Sequence, residues 1–166
     1  MKLFRRVLAC GVILLAAGFT SAGEGTIEIQ GAFDVMIEDA TVDVAFNERA
    51  GIWMLQLRSP REYKKEQGVG FTVNIFFSKK CNPSEGTFPV LFSYLSKQDA
   101  LGGSVLVSGE GRGTFSHDTN GEVEFSSFGD LIEGSYAFES FDGSDAPRRM
   151  IKVKGLFSCS RGEAFQ

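Results

Sequence analysis

Glu122-Val123-Glu124 is the arrangement in this chain best suited to chemistry, because residues i and i+2 of a strand share a face and set two carboxylates about 7 Å apart. That spacing suits the paired acids of glycoside hydrolysis. The same alternation turns Val123 and Phe125 toward a core and leaves both carboxylates on a solvated face, so a non-catalytic role follows. Ser116-His117-Asp118 contains the three residue types of a nucleophilic triad. Neighbours on a strand point to opposite faces, however, and cannot stack in line, so the tripeptide reads as turn chemistry. His117 is the single histidine, which leaves little material for imidazole-based metal or acid-base work. Asp118-Thr119-Asn120-Gly121-Glu122 and Asp142-Gly143-Ser144-Asp145 gather oxygen ligands but lack the ligand set of an EF-hand loop, and they too read as turns. The chain therefore reads as a non-enzyme, with no cofactor and no metal.

Binding chemistry is better supplied. Arg148, Lys152 and Lys154 fall on one face of the last strand as a cationic stripe, suited to a carboxylate-bearing glycan or protein, or to pairing with acidic neighbours such as Glu122 and Glu124. Arg58, Arg61, Lys64 and Lys65 form a second basic cluster. Glu28, Asp34, Glu38, Asp39 and Asp43 crowd the outer face of the first strands, where charge discourages edge pairing or meets a basic partner.

The elements that position these groups follow from a period of two. Ile27, Ile29, Gly31, Phe33, Val35 and Ile37 share one face, predicting a long half-buried strand bent at Gly31. Val42, Val44 and Phe46 continue the pattern, Asn47 to Gly51 reads as a turn, and Ile52 to Leu57 is apolar on both faces. Ser59-Pro60-Arg61-Glu62 is a helix start with a capping box, and the helix ends near Gly68. Further strands are predicted at Val69 to Phe77, Thr87 to Leu95 and Ser104 to Ser108, with a helical turn at Ser96 to Ala100. Gly113 to Ser116 and Glu122 to Phe128 read as a hairpin about an Asn120-Gly121 turn, followed by strands at Gly134 to Phe141 and Arg148 to Ser158. Many short strands without strand-helix alternation predict one all-β domain over residues 23–166, an antiparallel sandwich or jelly roll with one or two short helical turns; the alternative is a closed, calycin-like barrel.

Gly51-Ile52-Trp53 is similar to the Gly-x-Trp signature of lipocalins, which implies a barrel carrying a small apolar ligand. In lipocalins the motif opens the first strand, whereas two strands precede it here, and core packing is the role read for Trp53. Gly113-Thr114-Phe115, Gly134-Ser135-Tyr136-Ala137-Phe138 and Gly155-Leu156-Phe157 each set an aromatic residue two places after a glycine. Over residues 109–158 the succession Gly121-x-Val123-x-Phe125, Gly134-x-Tyr136-x-Phe138 and a basic strand ending Gly155-x-Phe157 resembles the C-terminal region of uncharacterised bacterial exported all-β proteins, which implies an exported β domain and carries no activity to any residue.

Export is read independently from the N-terminus. Lys2, Arg5 and Arg6, an apolar run from Val7 to Phe19, and Thr20-Ser21-Ala22 form a cleavable signal over residues 1–22, and its apolar run is too short for a membrane span. Cys10 falls only three residues into the apolar run, before a hydrophobic segment has been built, so lipidation there is not expected, and the mature chain starts at Gly23 in a periplasmic or extracellular setting. Removing the three basic residues leaves 14 against 21 acidic ones, a net charge of −7, which disfavours nucleic acid and anionic membranes as partners. Cys81 and Cys159 remain, and in an oxidising compartment a disulfide between them is expected, worth about 4–5 kcal/mol in the chain-entropy picture. The partner expected is an envelope or extracellular protein or glycan, with a lipocalin-like carrier or a hydrolase using Glu122 and Glu124 as the alternatives.

Overall fold

The structure, a computed structural model, describes residues 23–47, 52–77, 84–97, 99–143 and 147–160, with 45–47 as backbone alone. The segment expected to be an export signal, residues 1–22, lies outside them, as does Cys81. The chain is all-β: β1 (Gly23–Gly31), β2 (Val35–Asn47), β3 (Ile52–Arg58), β4 (Val69–Phe77), β5 (Gly86–Leu91), β6 (Leu101–Gly109), β7 (Gly113–Phe128), β8 (Leu131–Asp142) and β9 (Met150–Ser160). One helix, α1 (Arg61–Gln67), joins β3 to β4, and a 3-10 turn at Tyr94–Ser96 follows β5. The strands form one sheet in the order β1-β2-β3-β4-β6-β5-β7-β8-β9, and β9 pairs antiparallel with β1, so the sheet closes on itself. Of the two all-β architectures expected, the pairing is that of the closed barrel rather than of two stacked sheets.

Two local expectations are corrected by the pairing. Residues 27–37 are not one bent strand: the chain reverses between Gly31, at φ +109°, and Val35, so that Ile29 faces Val35 and Ile27 faces Ile37. The turn preserves parity, and the four side chains stay on the inner face whether the segment is straight or folded back. Nor is Asn120-Gly121 a hairpin turn, because β7 runs through it as one 16-residue strand. Its first part pairs with β6, its later part with β5, and its other edge with β8 from Phe115 to Phe128, with bulges on the way. Gly121 faces inward against Ala137 and Phe138, where a Cβ would have no room, so this glycine answers a close strand approach.

Inside the ring, phenylalanine dominates. Phe71, Phe115 and Phe125 are among the largest fully buried side chains. Phe33 packs edge-on against Phe71 at 5.4 Å and Phe115 at 6.1 Å, while Phe125 meets Phe77, Phe88, Phe128 and Phe157 at 5.1–6.0 Å. Trp53 packs against this core from a half-buried position, the role read for it. The glycine-aromatic echo has a structural cause: Gly134 pairs across β8 and β9 with Phe157, and Tyr136 pairs with Gly155. Each ring lies over the opposite glycine, whose missing side chain makes room for it.

The helix starts where expected but not by the expected means. Ser59 Oγ accepts the amide of Phe71 at 3.0 Å, α1 has no side-chain cap, and the helix stops at Gly68, φ +72°, whose N–H bonds Lys64 O at 2.9 Å. Tyr63 lays α1 against Phe71, at a ring distance of 6.4 Å.

Candidate binding face

On β7, β8, β9 and β1 the odd-even alternation sends one set of residues inward and presents the other to solvent. Register then joins the outward residues into rows. Glu28 of β1 lies beside Lys154 of β9, Lys154 beside Ala137 of β8, and Ala137 beside Glu122 of β7. One step along, Gln30, Lys152, Glu139 and Asn120 form the next row. In the other direction Leu156, Ser135 and Glu124 form a third.

Three depressions lie along this face. The first, about 410 Å³, is lined by Glu28, Ala137, Glu139, Lys152 and Lys154; the second, about 420 Å³, by Met36, Glu122, Glu124, Ser135 and Leu156 among others. The third, about 440 Å³, lies between Glu24, Glu124, Glu133 and Ser158. Adjacent depressions share residues, Glu28, Ala137 and Lys154 between the first two and Glu124, Ser135 and Leu156 between the last two, so they form a continuous trough along β8 and β9. Its floor is small (Ala137, Ser135 and the backbone of Gly134 and Gly155) and its walls are charged.

The expected cationic stripe is divided. Lys152 and Lys154 line the trough, and Lys154 Nζ is 3.1 Å from Glu28 Oε2. Arg148 stands before the start of β9, bound to Asp118 at 2.7 Å and placed over the Phe141 ring at 5.8 Å. Glu122 and Glu124 are exposed on the open face, with Val123 and Phe125 buried, as alternation required.

Ser116 is half-buried at the bulge between Phe115 and His117, and His117 and Asp118 take separate roles. The His117 ring stacks on Phe92 at 5.8 Å, its Nδ1 is buried without a partner, and Asp118, at φ +48°, serves Arg148. Asp142 is 4% exposed and is held by Arg149, which donates from Nε at 2.7 Å to Oδ2 and from its backbone amide at 3.0 Å to Oδ1. It is thus an internal anchor; Ser144 and Asp145 of the same expected loop lie outside the described residues. Among the described residues no cluster of three or more His, Cys, Asp or Glu is placed to hold a metal. Sequence reasoning missed the Asp142–Arg149 pair and the trough itself, both of which depend on cross-strand placement.

Cys159 is 3% exposed and has no disulfide partner among the described residues, which leave out Cys81; as a thiol its pKa is pushed up to about 11 by burial, with a smaller contribution from the Asp43 carboxylate. In a Cys81→Ala variant, iodoacetamide at pH 8 is expected to label Cys159 about a hundredfold more slowly in the folded than in the unfolded protein, the ratio of thiolate between a pKa near 11 and the ordinary 9.0. Equal rates, followed by intact mass, would remove the thiol from the core.

Comparison with protein-family models, with curated proteins and with solved structures finds no match. Among the described residues no helix is long and apolar enough to cross a membrane.

Proposed function

We propose that this protein is an exported, non-enzymatic binding module that engages an envelope or extracellular protein or glycan through the outer face of β1, β9, β8 and β7. The observation carrying this reading is the continuous trough, floored by small residues and walled by charge, on a sheet face that the fold leaves open. A carrier of an apolar ligand would use the barrel interior, and that interior is occupied by phenylalanine rings in mutual contact, which favours the outer face. A hydrolase would hold its acids in an enclosed cleft, whereas Glu122 and Glu124 stand exposed.

The test is site-directed photo-cross-linking in producing cells, with the reactive residue at Ala137 on the trough floor or at Leu106, exposed on the outer face of β6. Discrete adducts are expected from position 137 and not from 106; adducts from 106 alone, or from neither, would overturn the reading. The double variant Glu122→Gln with Glu124→Gln is expected to fold with stability within about 0.5 kcal/mol of wild type by denaturant melting, because both side chains face solvent. A loss of several kcal/mol would show that the pair is structural.

A further inference from the structure

Resting on the docking reading above, we propose that the occupant of the trough is an extended, cationic polypeptide segment in which apolar side chains alternate with lysine or arginine. Charge is the first argument. Glu24, Glu28, Glu122, Glu124, Glu133 and Glu139 line the three depressions against only Lys152 and Lys154, so the trough is balanced in the first depression and anionic in the second and third. Lys154 is paired with Glu28, which takes one charge from each side and leaves five carboxylates against Lys152. A carboxylate-bearing glycan, the ligand a cationic stripe would select, meets an excess of like charge here, while ammonium and guanidinium groups meet complementary charge.

The second argument is apolar. Leu156, 60% exposed, and Met36, 55% exposed, are among the most exposed large hydrophobic side chains described, and both line the middle depression. Apolar side chains held open between carboxylates suit a partner that brings apolar groups between its cations. Shape adds a third constraint. The depressions follow β9 from Lys152 to Ser158, six residue steps or about 20 Å, and an extended segment of about six residues spans the same length. The small floor at Ala137 and Ser135 lets a backbone approach the sheet closely.

The test uses the 15N-labelled protein and three probes: a hexapeptide of alternating lysine and leucine, a glutamate hexapeptide, and the neutral oligosaccharide maltohexaose. The lysine-leucine peptide is expected to shift the amide resonances of 133–139 and 152–158. Its affinity should fall about tenfold in Glu122→Gln with Glu124→Gln, and should also fall as ionic strength rises from about 0.05 to 0.3 M. Glu38→Gln with Asp39→Asn removes the same charge from exposed positions on β2 and should leave the affinity within about twofold. Equal weakening by the two double variants would reduce the effect to general attraction between opposite charges and overturn the proposal. Occupation of the trough by the glutamate peptide or the oligosaccharide instead would overturn the cationic occupant while the docking face stood. No shift from the lysine-leucine peptide would equally overturn the cationic occupant, and absence of adducts at Ala137 as well would remove the docking face too.

Discussion

Replacing Gly134 by alanine is expected to destabilise the protein by about 3 kcal/mol in a denaturant or thermal melt, although the change adds a single methyl group. Gly134 faces inward on β8 between Phe125 of β7 and Phe157 of β9. A Cβ built there runs into the carbonyl oxygen of Glu124 and comes within 2.8 Å of the Phe157 ring. Neither obstacle can move cheaply. The carbonyl belongs to a ladder that pairs β7 and β8 over most of their length, and the ring is buried against Phe125 at 5.6 Å. The methyl must therefore spread two strands or expel an aromatic ring. Gly129→Ala is the matched control, since nothing lies within 4 Å of a Cβ there, and it should change stability by less than about 0.5 kcal/mol. Equal stabilities for the two variants would mean that the close packing of β7, β8 and β9 is not what holds them together.

That glycine also shows how far the fold was legible. Alternation finds the strands because a period of two survives whatever a strand pairs with: the strand expected at Val69 to Phe77 is β4, and Val123, Phe125, Tyr136, Phe138, Val153 and Phe157 all face the core. Alternation fails where parity is preserved across a reversal, as at Gly31, and where turn chemistry is overruled by packing, as at Asn120-Gly121. It is also blind to closure. Whether the last strand returns to the first depends on the pairing of β9 with β1, between residues 120 or more positions apart, and no local pattern encodes that.

The candidate site was legible residue by residue and not as a site. The outward placement of Glu122, Glu124, Lys152 and Lys154 follows from alternation within each strand. Their common boundary follows from register: Lys154 meets Ala137, and Ala137 meets Glu122, so acids and amines from two separate motifs flank one small residue. Ala137 and Ser135 carry no signal of their own, because a small residue marks a trough only when its neighbours on three strands are known. The expected stripe of Arg148, Lys152 and Lys154 is divided for a similar reason, since Asp118, on the bulged part of β7, captures Arg148.

The largest single loss of stability is expected at the centre of the aromatic core: Phe125→Ala should cost about 4 kcal/mol, a large share of the 5–15 kcal/mol that holds a typical domain together. Phe125 is 1% exposed and joins rings from different parts of the chain, Phe77 of β4 at 6.0 Å, Phe88 of β5 at 5.8 Å, Phe128 of β7 at 5.1 Å and Phe157 of β9 at 5.6 Å. Three of the four contacts are T-shaped, the arrangement in which a ring edge meets a ring face, and each adds to the area term. Truncation leaves a void bounded by other phenylalanines, and rings pinned by strands on opposite sides of a closed sheet cannot collapse into it, so the cavity penalty should remain nearly whole. Leu156→Ala removes an apolar side chain on the opposite side of the same sheet and, at 60% exposure, should change stability by less than about 0.5 kcal/mol. Urea melts of the two variants measure the contrast directly. If Phe125→Ala cost no more than Leu156→Ala, the barrel interior would not be the packed aromatic core that leaves recognition to the outer face, and an interior able to admit an apolar ligand would become the better account of this fold.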